Sequence, residues 1–226
     1  MIHRLESTAS TMIDAANLAK QGAPHGTAVV AERQTAGIGR HGHSWHSEQA
    51  NGLYLSIVLR LPAAAPTLTM ALGLAVQQSL EVHSDLRWPN DVMINDRKVA
   101  GIMVQSADPG VLIAGIGINV NHAQFPPELQ SIATSLRIET GYVHDKEALL
   151  QRVLTESVRY ANLDKPEILK RFEANSTYIR GKQVIVDEKL RGVTVGLDKE
   201  GFLQLQTESG IETILTGGLR PISGVD

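Results

Sequence analysis

Gly37-Ile38-Gly39-Arg40-His41-Gly42-His43-Ser44-Trp45 is a glycine-rich basic loop that lies between two strand-like runs and ends in one of only two tryptophans. Its closely spaced glycines remove the barrier to positive φ and let backbone amides turn inward, as a chain does when it wraps an anion. Arg40 adds a permanent planar charge that forks onto phosphate or carboxylate, and Trp45 adds a flat face for a ring. The loop is shaped to close over a nucleotide-like ligand. It fits neither a P-loop, which needs Lys-Ser/Thr after its last glycine, nor a dinucleotide fingerprint. Taken alone, it reads equally as a flexible surface hairpin with a solvated arginine.

Working outward, residues 27 to 33 and 53 to 61 read as the flanking strands, the second bounded by Pro62. Residues 10 to 21 form a helix opened by Ser/Thr and closed by Gly22, and an Ala/Leu-rich helix covers 66 to 83 from Pro66. Then comes Arg87-Trp88-Pro89-Asn90-Asp91, where Pro89 pushes Trp88 into an extended conformation. The strand Val92-Met93-Ile94 turns at Asn95-Asp96 and returns through Val99 to Val104, setting Lys98 near the Asn90-Asp91 pair at one end of a sheet. On these residues alone an ordinary polar turn, with Asn90 and Asp91 capping backbone amides, is the simpler reading. A strand over 111 to 120 completes the sheet. Asp145 caps a helix carrying Leu149, Leu150, Val153 and Leu154, and Pro166 starts a shorter one. From Lys182 the pattern becomes short alternating runs separated by Gly- and Asp-containing turns, a small barrel-like module whose boundary falls near Tyr178 to Gly181.

The composition bounds the class. At 226 residues the chain holds one substantial domain and a small one, with enough buried apolar surface to stand without staples. The absence of cysteine excludes disulfides, thiolate metal sites and a cysteine nucleophile. The segment Met1 to Glu6 has no apolar h-region and no run approaches a membrane span, so a cytoplasmic protein is expected. A formal net charge of −3 argues against broad electrostatic binding of nucleic acid.

The order of Ser7-Thr8, then Gln34-Thr35-Ala36 and the glycine loop to Trp45, then Trp88-Pro89-Asn90-Asp91 with Lys98 and Gly101, then Gly115-Ile116-Gly117-Ile118-Asn119, resembles the biotin protein ligases (biotin--acetyl-CoA-carboxylase ligases). The match runs from about residue 5 to the end, and four blocks in the right order are specific as a set. The resemblance implies an α+β fold, a mixed sheet flanked by helices of the class II synthetase-like type over residues 1–179, with an SH3-like β-barrel over 180–226. It implies two steps: biotin and MgATP give biotinyl-5'-adenylate and pyrophosphate, and a lysine of a biotin carboxyl carrier domain then displaces AMP. Because a carboxylate attacks a phosphate, screening and alignment carry most of the catalysis.

The resemblance also implies roles. Lys98 holds the biotin carboxylate and stabilises charge on the α-phosphate and leaving group, and Arg40 retains the adenylate. Ser7, Thr8 and Gln34 hydrogen-bond the ureido ring, Gly101 and Gly117 let backbone approach biotin, and Gly37, Met103 and Gly115 complete the biotin side. Trp45, Asn90 and Asn119 match the adenine side, His43 falls on a phosphate-contacting position, and Asp91 orients either Mg2+ or Lys98. Ser7-Thr8 alone reads as well as a helix N-cap.

Two departures stand out. Ile38, His41 and His43 occupy positions where many relatives have arginines, so the loop's charge rests largely on Arg40. The chain also enters the catalytic pattern almost at once, so it reads as a ligase without a DNA-binding repressor function. A homodimer is left open. Two other readings remain: a lipoate or octanoate ligase or transferase, and a non-catalytic biotin- or nucleotide-binding module.

Overall fold

The computed structural model describes residues 1–42, 44–47, 50–61 and 66–222. Seven strands, β1 (Ile2–Thr8), β2 (Ala28–Gln34), β3 (Gly52–Arg60), β4 (Asp85–Arg87), β5 (Asp91–Ile94), β6 (Arg97–Asp108) and β7 (Val111–Asn119), form one mixed sheet in the order β1-β2-β3-β7-β6-β5-β4. The β1–β2 pair is parallel, and the pairs from β2 across to β4 are antiparallel. Helix α1 (Thr11–Lys20) connects β1 to β2, as a parallel crossover requires.

Alternation along the central strands divides the sheet into two faces. Leu53, Leu55, Ile57 and Leu59 of β3, with Leu112, Ala114, Ile116 and Ile118 of β7, pack against α2 (Pro66–Leu80) and α4 (Lys146–Ala161) in the main core. On the opposite face Val29, Val58, Val111 and Ile113 pack under Met12, Ala15 and Ala19 of α1. That helix is short and covers only part of its face. The uncovered remainder, paved by Gly101, Met103, Gly115 and Gly117, becomes a floor.

The helices start where local chemistry dictates. Asp145 accepts from the amides of Glu147 and Ala148 at the head of α4, and Asp164 accepts from Glu167 N ahead of α5 (Lys165–Ala174), with Pro166 in its first turn. A short helix α3 (Leu136–Thr140), capped by Ser135 and ended by Gly141 at φ 83°, carries no long periodic pattern and was not expected from the sequence. The helix expected over 66–83 stops at Leu80, because Glu81 takes a left-handed φ of 57°. Trp88 lies in the turn between β4 and β5, buried, with its indole N–H donating to Gly201 O at 3.1 Å.

The last five strands, β8 (Arg180–Val186), β9 (Leu190–Leu197), β10 (Leu203–Thr207), β11 (Gly210–Ile214) and β12 (Leu219–Pro221), form a separate antiparallel sheet in the order β11-β10-β9-β8-β12, consistent with an SH3-like module. No described helix is long and apolar enough to cross a membrane.

Candidate active site

Above the glycine floor opens a cleft of about 470 Å³, lined among others by Thr11, Gln34, Arg40, Trp45 and Lys98. Lys98 reaches it through an irregularity. In the β5–β6 ladder Asp91 pairs with Gly101, Val92 with Ala100, and Met93 with Lys98, so Val99 is an extra residue. This bulge puts Lys98 on the same face as Asp91, Gly101 and Met103, and leaves Val99 and Ala100 both fully buried. The backbone of Lys98 is also stitched to the segment before α3: Lys98 N donates to Ile132 O at 2.8 Å, and Thr134 N donates to Lys98 O at 2.9 Å.

The Lys98 ammonium lies 2.6 Å from Asp91 Oδ1, and Arg87 Nη2 lies 2.7 Å from Asp91 Oδ2. Burial opposes ionisation of Asp91, but the Lys98 and Arg87 charges outweigh it and hold the carboxyl below its usual range. The neighbouring Asn90 holds the other cation: its Oδ1 accepts from Arg40 Nη1 at 3.0 Å while its Nδ2 donates to Ile102 O at 3.0 Å. Arg40 also donates to Thr216 Oγ1 at 2.6 Å, which ties the glycine loop to the second sheet. Burial draws the Arg40 guanidinium below its ordinary pKa, and Asp91 and Asp187 oppose the shift. Two consecutive side chains of one turn thus fix both cations.

The loop closes on itself, with Trp45 N donating to Gly37 O at 2.9 Å and Ile38 bridging Ser44. The Trp45 ring lies on the floor: a Cβ at Gly117 would sit 2.5 Å from its Cε2, and one at Gly101 would sit 2.9 Å from its Cζ3. Lys98 Nζ stands 5.2 Å from the ring centroid, within cation–π range. The indole N–H is buried with no hydrogen-bond partner among the described residues. Gly115 similarly makes way for Met12, whose Sδ would lie 2.7 Å from an added Cβ. The floor glycines therefore admit protein side chains in this structure.

Other expected residues fall elsewhere. Ser7 and Thr8 end β1 outside the lining, and the Thr8 hydroxyl donates to Asp14 Oδ2 at 2.6 Å. The lining instead includes Ser10 and Thr11, three residues on, at the start of α1. Gln34 Oε1 accepts from Thr11 N at 2.9 Å and from Thr11 Oγ1 at 3.1 Å, and Thr11 Oγ1 is 2.8 Å from Ser56 Oγ. The sequence repeats its Ser-Thr doublet, and adjacency to the helix start is the signal that singles out the second. Asn119 is buried, its Nδ2 donating to Lys98 O at 3.4 Å and Thr134 O at 3.0 Å, and it is not among the residues lining the cleft. His43 lies outside the described residues. As a magnesium ligand Asp91 does not fit, since each of its oxygens already faces a cation. No group of three His, Asp or Glu side chains suited to a metal occurs among the described residues. Thr216 and the Ile132–Thr134 backbone had no motif to reveal them, and Arg87, at the head of the Trp-Pro-Asn-Asp stretch, had been given no role.

With this geometry in place, relatives can be compared. The Biotin/lipoate A/B protein ligase family matches residues 2–122, and the Biotin protein ligase C terminal domain matches residues 181–217. The biotin--[acetyl-CoA-carboxylase] ligase of Paracoccus denitrificans is 32% identical over 234 residues, covering 93% of this chain and 96% of that protein. The bifunctional ligase/repressor BirA of Bacillus subtilis is 36% identical over 229 residues, covering 93% of this chain and 70% of that one. The structure of the biotin protein ligase from Aquifex aeolicus in complex with biotin and ATP aligns with a TM-score of 0.88 at 33% identity, covering 98% of this chain and 99% of that one. The chain belongs to the biotin protein ligases, within the biotin/lipoate A/B protein ligase family.

Proposed function

We propose that this chain activates biotin with ATP in the cleft above the glycine floor and transfers it to a lysine of a biotin carboxyl carrier domain in the cytoplasm. The observation that carries this reading is the convergence of Lys98 and Arg40 on one cleft, each anchored by a neighbouring residue of the Asn90-Asp91 pair. A carboxylate attacking an α-phosphate brings two anions together, and only cations fixed beforehand lower that barrier without reorganising.

In this reading biotin lies over the floor with its ureido ring toward Thr11 and Gln34 and its carboxylate at Lys98. A carboxylate oxygen forms a bond to the α-phosphorus, the bond to the bridging oxygen breaks, and pyrophosphate leaves. Lys98 screens the approach. Magnesium enters with ATP as part of the substrate, held by phosphate and water oxygens. Arg40, from inside the loop, then holds the adenylate until a carrier lysine attacks its acyl carbon and AMP departs. Residues 1–179 carry this chemistry, and residues 180–226 support it through Thr216. A net charge of −3 favours a protein carrier over DNA as the macromolecular partner.

Pyrophosphate release on adding biotin and ATP, followed by mass spectrometry of a carrier domain, tests the proposal. Biotin-dependent release and an amide-linked biotin on the carrier are expected. Release driven by lipoate or octanoate but not biotin would overturn it, as would biotin binding with no release at all.

A further inference from the structure

We propose that Arg87, outside the cleft, is a positioning residue that sets the charge Lys98 offers to an anionic substrate. It rests on the reading above in one respect, that the biotin carboxylate docks at Lys98.

Arg87 and Asp91 are register partners across β4 and β5, and their ion pair is mostly shielded, with side chains 19% and 13% exposed. Lys98 takes the other carboxylate oxygen. Arg87 does not line the cleft. Its influence must pass through Asp91.

Without Arg87, Asp91 and Lys98 would form a closed one-to-one pair of zero net charge. A substrate carboxylate would then have to take the ammonium away from a carboxylate that has no second ion-pair partner, Arg40 reaching Asp91 only through its charge. With Arg87, the row is plus, minus, plus. Asp91 is shared between two cations, its hold on Lys98 loosens, and the cluster presents one net positive charge to the cleft. A charge several ångströms from the substrate in a half-buried setting changes affinity on the order of tenfold.

Charge arithmetic gives a test that a purely structural role would not pass. Binding of biotin and of biotinol, its neutral alcohol analogue, is measured by calorimetry for the parent protein, Arg87→Met, Arg87→Lys and the double variant Arg87→Met/Asp91→Asn, each checked for folding by circular dichroism. The cluster charge is +1 in the parent and in Arg87→Lys, zero in Arg87→Met, and +1 again in the double variant. Arg87→Met should bind biotin about tenfold more weakly while biotinol binding stays within twofold. Arg87→Lys should keep near-parental binding, and the double variant should regain most of the biotin affinity. Equal losses for biotin and biotinol, or a double variant weaker than Arg87→Met, would overturn the proposal. If Arg87→Met does not fold, the double variant and Arg87→Lys decide: both must bind biotin within a few-fold of the parent. Failure of the parent to bind biotin would instead sink the functional reading.

Discussion

Gly101 carries no side chain where the Lys98 side chain crosses it: an added Cβ would lie 2.8 Å from Lys98 Cε and 2.9 Å from Nζ. The glycine is the gap through which the ammonium reaches Asp91. Lys98 is flexible at its far end, and the Trp45 ring, 2.9 Å from the added Cβ at Cζ3, must shift as well, so Gly101→Ala should fold with a melting temperature a few degrees below the parent's. Its ammonium would be pushed off Asp91, and biotin-dependent pyrophosphate release should fall by about ten- to a hundredfold, as expected for misplacing a group by about 1 Å. Parental turnover in Gly101→Ala would mean that the crossing is dispensable.

The two Ser-Thr doublets should separate cleanly. Thr11→Val removes a buried hydroxyl that bonds Gln34 and faces Ser56, and should destabilise the fold by about 1–2 kcal/mol while weakening biotin binding. Ser7 is exposed at the end of β1, so Ser7→Ala should stay within about 0.5 kcal/mol of the parent and bind biotin equally well. Urea denaturation and calorimetry on both variants check this; a biotin defect confined to Ser7→Ala would reverse the assignment.

Arg40 is held from both sides, by Asn90 and by Thr216. Thr216→Val removes the second anchor without touching the cleft. Adenylate formation should continue at a near-parental rate while the intermediate escapes about fivefold faster, the equivalent of about 1 kcal/mol for one charge-assisted bond in a partly solvated place. Single-turnover measurement of free against protein-bound adenylate reads this directly. Unchanged retention would show that the second sheet does not steady the loop.

Tyr178 supplies a pH-dependent contact at the junction of the sheets. Burial, and then its hydrogen bond to the Asp96 carboxylate, push the phenol well above its ordinary value. A raised folded pKa means that the contribution is complete below the unfolded value of about 10 and is lost as pH rises above it, since the unfolded chain gives up the proton first. Tyr178→Phe should cost about 1–3 kcal/mol at neutral pH and flatten the decline of stability above about pH 10. Thermal melts from pH 7 to 11 would refute this if parent and variant kept a constant offset.

How much of this was legible in the sequence depended on the range of the interaction concerned. The approach of Lys98 to Asp91 could be anticipated because Asn90, Asp91 and Lys98 lie on one hairpin, where turn chemistry and strand alternation bring them together, whereas the Arg40 contact to Asn90 spans 50 residues and was not foreseen. The capping Asp145 acts within one turn and read just as directly, as did Pro166 in the first turn of α5. The resemblance placed Asn119 on the adenine side; the donation from its Nδ2 to Thr134 O is a contact that no local rule pairs with it. The Thr216 contact to Arg40 spans 176 residues and left no pattern to find. The glycines were recognised as places of close approach, but what approaches them, Trp45, Lys98 and Met12, depends on the packed structure.

The extra residue Val99 makes β6 a strand with two phases. From Gly101 onward the odd-numbered residues face the cleft; before the bulge the even-numbered Lys98 does. A flawless ladder would place Val99 opposite Met93 and turn Lys98 toward the helix-covered face, exchanging a cleft-lining ammonium for a buried charge. Idealising this hairpin is a natural step when a protein is redesigned for robustness, and here it would yield a tidier sheet with the Lys98 ammonium facing away from the cleft.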